Sequence, residues 1–377
     1  MHVEVVSRPP LHILHTESSL GLGGQELRIV AEAQGLRARG HAVVLAVQPS
    51  SQLARLARQA GIAVEEIRMS PERLPAIIAD FLRAIRHHRV DVINTHGSLD
   101  SWAASIAGRL SARKPVIVRS RHKTTPIAPS WRHRVLYRSL PHAIVTTGEA
   151  VRRHLVEEHG VPSERVVSIP TGVDVRRFVR HGHPDRSSEH GEDNEETIVG
   201  TVAFLRDYKG LDVLIAAARE IVAVHPHVKV WIIGEGPERG RLERMIDDLG
   251  LEKHVKLWGH RTEIPQWLSC MKVFVMPSTG AEGVPQALTQ ALAMERPVVA
   301  SSVGGIPEVV EHGLTGLLVP PNDPNRLAKA VLLLLGNPVL RDRLGRAGRR
   351  RVVEEYSLTR MLEKTEELYY RLLYGHG

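Results

Sequence analysis

Short apolar runs alternate with longer stretches of helical spacing along almost the whole chain, and that alternation leaves few folds open. The runs at 11–16, 43–48, 91–96, 115–119 and 143–147 read as strands, and 25–39, 51–60, 72–87, 100–110 and 149–159 read as helices between them. Strands separated by helices cannot pair as hairpins, so they line up in parallel with helices on both faces. From 180 to 196 the pattern stops: His181 to Glu196 contains no apolar residue, only polar, charged, Gly and Pro residues. It then restarts, with strands expected at 197–204, 228–234, 255–258, 273–276, 297–300 and 315–319. Helices are expected at 210–225, 238–249, 264–271, 284–294, 306–312 and 324–335, followed by a helical tail over 339–374. The reading is α/β, with two doubly wound, Rossmann-like domains. The first spans 1–180 and the second 197–357, joined by a linker at 181–196. A chain of 377 residues has the length for two such cores.

The densest chemistry lies in Pro277-Ser278-Thr279-Gly280-Ala281-Glu282-Gly283-Val284-Pro285-Gln286. An apolar strand precedes it. A helix with Val284, Leu288, Ala291 and Leu292 on one face follows. Glu282 and the amides of Gly283 and Val284 thus fall between a strand C-end and a helix N-terminus. Open α/β sheets place ligands there, and helix N-termini attract anions. A second turn of this kind, Val303 to Glu308, follows the next strand.

Other strand ends repeat the theme. Gly21-Leu22-Gly23-Gly24-Gln25-Glu26 follows the first strand, and its glycines let backbone approach a ligand. It is not a dinucleotide fingerprint, because Glu26 stands where a third glycine would be. His96 closes the strand at 91–96, and Arg121 and His122 follow the next one. Arg206 and Lys209 sit in Phe204-Leu205-Arg206-Asp207-Tyr208-Lys209-Gly210, placed to clamp a diphosphate. Gly234, Gly236 and Pro237 form another strand-end turn, with Pro237 suited to a first helical position. None of these clusters has metal-ligand spacing, so no metal is expected at the site.

Net charge is +8, but residues 1–180 carry 26 Lys and Arg against 15 Asp and Glu, whereas the remainder is slightly acidic. The basic surplus, mostly arginine, fits an anionic partner such as an anionic membrane surface. Aromatic residues make up only 4% of the chain, too few for a base-stacking platform, so nucleic acid is not an expected partner. No apolar run approaches the length of a membrane span. The first residues lack a signal-peptide pattern, which points to the cytoplasm, with peripheral attachment at the inner face of the plasma membrane. The single cysteine, Cys270, has no partner for an internal disulfide.

In order and spacing these motifs resemble the retaining, nucleotide-sugar-dependent glycosyltransferases of GT-B architecture, in the family-4 group. The resemblance rests on Gly23 to Glu26, His96, Ile169-Pro170-Thr171-Gly172-Val173-Asp174, Arg206 to Gly210, Gly234 to Pro237, and Glu282 to Gly305. It implies two Rossmann-like domains facing across a cleft, with residues 358–377 packing back on the first. It also implies a UDP-sugar or GDP-sugar donor and a glycan or lipid-linked acceptor, of lipopolysaccharide or exopolysaccharide type. Arg206 and Lys209 would hold the donor diphosphate, Glu282 the transferred sugar, and His96 the donor sugar or acceptor. Gly23, Gly24, Gly234, Gly236, Pro237, Gly283, Val284, Pro285 and Gln290 would line the donor site. Glu26, Arg121 and His122 would face the acceptor. Two positions depart from the family's pattern. Thr171 replaces the usual Asn, and Gln290 replaces the glutamate that holds the donor ribose, leaving a neutral acceptor in place of a charged one. A nucleotide-sugar epimerase of the same architecture and a catalytically silent sugar-binding subunit remain the alternatives.

Overall fold

In the first unit every strand needs cover on two faces, and its residues supply it. Ile13 points into a core with Ile29, Leu36, Val43 and Leu362, while its neighbour Leu14 points into another with Phe81, Ile85 and Ala104. Strands apolar on both faces are the mark of a buried parallel sheet. The computed structural model describes residues 8–122, 127, 130–180, 196–280 and 282–375. Of the expected linker only Glu196 is among them.

Two units emerge, Met1–Thr147 with Arg152–Pro170 and Leu358–Gly377, and Gly148–Val151 with Thr171–Ser357. The first sheet has seven parallel strands: β1 (His12–Glu17), β2 (Ala42–Val47), β3 (Ala63–Glu66), β4 (Val92–Thr95), β5 (Val116–Arg121), β6 (Ala143–Thr146) and β7 (Val166–Ser168). Their order is β3-β2-β1-β4-β5-β6-β7, so the chain changes direction across the sheet between β1 and β4. The helices are α1 (Gly24–Ala38), α2 (Gln52–Gln59), α3 (Leu74–His87), α4 (Leu99–Leu110), the single turn α5 (Trp131–Arg134) and α6 (Glu149–Glu157).

The second sheet has six parallel strands: β8 (Thr197–Val202), β9 (Val228–Ile233), β10 (Val255–Gly259), β11 (Met271–Met276), β12 (Val298–Ser301) and β13 (Leu317–Val319). Their order, β10-β9-β8-β11-β12-β13, puts the reversal between β8 and β11. Its helices are α7 (Leu211–Val224), α8 (Arg239–Asp248), α9 (Ile264–Cys270), α10 (Gln286–Ala293), α11 (Ile306–Val309), α12 (Pro324–Gly336) and α13 (Pro338–Glu355). Val230 and Ile232 face Leu214, Ile221 and Leu327, and Trp231 and Ile233 face Trp267, Leu288 and Leu292.

The last helix, α14 (Leu358–Tyr374), lies in the first unit, with Leu362, Leu368 and Tyr369 buried in the core beneath α1. Val173 and Phe178 belong to the core of the second unit, so that unit begins before residue 180. Two strands, β3 and β7, have no counterpart in the sequence reading. The expected helix 284–294 starts at Gln286, with Pro285 as its N-cap, so Gly283 and Val284 lie in the turn before it. Pro237 likewise sits in a turn, because α8 begins at Arg239. The expected helix 306–312 is a single turn, α11.

Candidate active site

At the β8–β11 reversal of the second unit, two strand-end loops lock together through backbone. Thr279 and Gly280 donate to the carbonyl of Tyr208 at 2.9 and 3.2 Å. Gly210 adopts φ +62°, and a Cβ there would run into the Pro277 carbonyl, so only glycine allows the approach. This clamp fixes Lys209 against Glu282. The Lys209 ammonium pairs with one carboxylate oxygen, and the Ser278 hydroxyl donates to the other. Ser278 is fully buried and Glu282 nearly so, which strengthens the pair over a surface one. Arg206 is exposed at the mouth of the loop, its guanidinium 5.1 Å from the Phe204 ring.

The next turn closes on this one. Gly305 donates to the Glu282 carbonyl at 2.7 Å, and Gly304, at φ +54°, has no room for a side chain against Glu282 backbone. On the other side, Gly234 and Gly236 press against the backbone of Ala203 and Leu205. Leu205 donates to the Glu235 carbonyl at 2.9 Å. The structure thus brings Arg206, Lys209, Gly234, Gly236, Glu282 and Gly283 to one sheet edge. Val284 and Pro285 are buried at the head of α10, and Gln290 is half-buried one turn further on.

At the β1–β4 reversal of the first unit the centre is a row of imidazoles. His96 Nε2 meets His15 Nδ1 at 3.0 Å, and His96 Nδ1 meets His122 Nε2 at 2.9 Å. The rings stack with centroids 5.3 and 5.1 Å apart. Each link needs one N–H and one lone pair, so the neutral rings all carry the proton on the same nitrogen, all Nε2 or all Nδ1. Burial drives the His96 pKa well below its ordinary value, with His122 and His15 adding to it. Burial likewise lowers that of His15, although Glu32 opposes the shift. Both nitrogens of His96 are therefore engaged within the protein, and the half-buried His122 stands at the outer end of the row.

Beside this row, Asp100 accepts from Thr16 (2.7 Å), Ser18 (3.0 Å) and the amides of His96 and Gly97 (3.2 Å each). Glu17 accepts from the Ser19 amide at 2.8 Å and from Gln25. Burial, with Asp100 next to it, pushes the Glu17 carboxyl up to about 7. Gly23 is the N-cap of α1 and Gly24 its first residue. Glu26 reaches back to the Gly23 amide at 2.7 Å and so caps α1. Arg121 donates to the Tyr137 hydroxyl at 2.7 Å, and burial followed by Arg119 lowers its pKa.

Sequence reasoning missed His15, Glu17, Asp100 and Ser278. Their signals are faint: polar residues inside or directly after an apolar strand, and one aspartate at a helix start.

Residues 22–177 match the model of Glycosyltransferase Family 4, and 196–337 match that of Glycosyl transferases group 1. The exopolysaccharide phosphotransferase of Streptomyces coelicolor is 31% identical over 68% of this chain and 26% of its own length. The putative colanic acid biosynthesis glycosyltransferase WcaL of Salmonella typhimurium is 38% identical over 45% of this chain and 42% of its own. The aligned region is thus under half the length of either relative. Among solved structures, Anabaena HepE in complex with UDP-glucose matches with a TM-score of 0.83 at 23% identity, covering 94% of this chain and 98% of that one.

Proposed function

The chain belongs to the GT-B glycosyltransferases of the family-4 group, and on that premise we propose that it transfers a sugar from a nucleotide-diphosphate donor to a cell-envelope glycan or glycolipid, with retention of anomeric configuration. The observation that carries this reading is the Lys209–Glu282–Ser278 cluster at the β8–β11 reversal. A diphosphate arriving there competes with Glu282 for the Lys209 ammonium. Once Lys209 turns to phosphate, the carboxylate is released to accept hydroxyls of the sugar, with Ser278 holding it in place. As the glycosidic bond breaks, negative charge grows on the leaving diphosphate. Lys209, Arg206 and the backbone amides around Gly283 oppose that charge in a site already organised for it.

A uridine donor is supported by the UDP-glucose complex of the HepE neighbour, and an exopolysaccharide acceptor by the similarity to an exopolysaccharide phosphotransferase and a putative colanic acid glycosyltransferase. Among the described residues no helix is long and apolar enough to cross a membrane. The arginine surplus of residues 1–180 supports peripheral contact with an anionic surface that carries the acceptor.

The deciding experiment is thermal shift and calorimetry with UDP, GDP, ADP and their sugar conjugates, followed by a turnover assay for released nucleotide. Selective binding by one nucleotide diphosphate is expected. Lys209→Ala should lower kcat/KM by about a hundredfold or more, the scale of losing one main charge-stabilising contact. No binding of any of these ligands, or normal turnover by Lys209→Ala, would sink the assignment.

A further inference from the structure

We propose that Glu65, His87 and His88 form a transition-metal site, of the kind zinc occupies, at the outer edge of the first unit's sheet. Glu65 lies on β3, the edge strand, and its place is fixed by the ladder pairing with Ala46. His87 is the last residue of α3 and His88 its C-cap. One carboxylate oxygen and one ring nitrogen from each histidine all lie within 4.8 Å of one another. His88 Nε2 and Glu65 Oε1 are already 2.7 Å apart. The two imidazoles meet edge to face, centroids 4.6 Å apart.

Two imidazoles and a carboxylate are a ligand set that zinc accepts, leaving a fourth position for water. With metal–ligand bonds of about 2.0–2.2 Å, donors around a tetrahedral ion sit roughly 3.3 Å apart. An ion therefore needs the His88–Glu65 pair to open slightly and the His87 ring to turn inward. The backbone need not move. The His88 amide is tied to Ala84 at 3.0 Å, and its carbonyl lies 2.8 Å from His12 Nδ1. His87 is exposed, so its ring has room to turn. Magnesium and calcium prefer all-oxygen shells and suit this set poorly. A bound ion would join the end of α3 to a four-residue edge strand that is otherwise paired on one side only.

This proposal is independent of sugar transfer, and its test needs no turnover. Full-length protein, stripped with a chelator, is titrated with Zn²⁺ and, separately, Mg²⁺ by calorimetry and thermal shift. Co²⁺ serves as a spectroscopic probe of tetrahedral coordination. The expected result is one equivalent of Zn²⁺ that raises Tm, visible tetrahedral Co²⁺ bands, and no response to Mg²⁺. His87→Ala and Glu65→Gln should each weaken Zn²⁺ binding by roughly tenfold or more. A His181→Ser, His183→Ser, His190→Ser triple variant removes a separate group of histidines, grouped by sequence alone, and it should bind as the parent does. Unchanged Zn²⁺ affinity in His87→Ala, or loss of the site in the 181/183/190 variant, would overturn the proposal. His87 is exposed, so its substitution should fold even where His88→Ala does not.

Discussion

At the scale of single residues, the first unit sets two buried titrations against each other. Folded Glu17 keeps its proton up to about pH 7, where the unfolded chain loses it near 4.5. Between those values the folded state binds more protons, so this group's contribution to stability falls as pH rises through the window and stays low above it. His15 and His96 act with the opposite sign. Their folded pKa values lie below the unfolded 6.5, so the unfolded state binds more protons below that pH and stability falls as acid is added. Single variants separate the two. Glu17→Gln should gain stability over the parent at pH 8 relative to its difference at pH 5. His15→Gln should show a shallower loss between pH 6.5 and 5, whatever its stability at neutral pH. Urea midpoints at pH 5, 6.5 and 8 check both, and parallel pH profiles for parent and variants would refute the assignment. The same residues show what a sequence can reveal. Glu282, Lys209 and Arg206 are legible because glycines and a following helix mark their loops. His15 and Ser278 are not, because a polar residue at the end of an apolar run looks the same whether it faces solvent, core or site. His96 is legible as a strand-end histidine, but the engagement of both its nitrogens depends on β1 and β5 lying on either side of β4.

At the scale of elements, the long alternating runs are readable and the short ones are not. β3 (AVEE) and β7 (VVS) carry too few apolar residues to show a period, and they are strands because each completes a ladder at a sheet edge. The tail reads as one helix because no proline interrupts it between Val339 and Tyr374. It breaks at Ser357 for a distant reason: Val173 donates to the Tyr356 carbonyl at 2.9 Å and bridges to Ser357. Packing also overrides propensity at helix glycines. Gly345 in α13 lies against the Glu295 carbonyl with no space for a Cβ, and backbone cannot swing aside as a side chain can. Gly240 in α8 would meet only the Arg244 guanidinium at 3.7 Å, an ordinary contact. Gly240→Ala should therefore gain about 0.5–1 kcal/mol, and Gly345→Ala should lose about 1–3 kcal/mol despite its better helix propensity. Chemical denaturation of the two variants decides it, and equal effects would mean that α13 does not pack against residue 295 as described.

At the scale of the whole molecule, chain order and structural order part company at the end. Residues 1–147, 152–170 and 358–377 build one unit, so the first unit's core is incomplete until the last helix is made. Leu362, Leu368 and Tyr369 are each almost fully buried there, and the Tyr369 hydroxyl also accepts from Asn94 at 2.8 Å and donates to Glu32 at 3.4 Å. Each large apolar side chain buried in such a core contributes about 1.5–3 kcal/mol. That is a large share of the stability of a domain of ordinary marginal stability. The second unit has no residue beyond 357, and its own core is closed without α14. A chain ending at 357 should then lose amide-exchange protection in β1, β2 and β4, while β8, β9 and β11 keep theirs. The separate peptide 358–377, added back, should restore protection in the first unit alone. Protection unchanged in β1 and β2, or lost equally from both sheets, would show that α14 is not part of the first core.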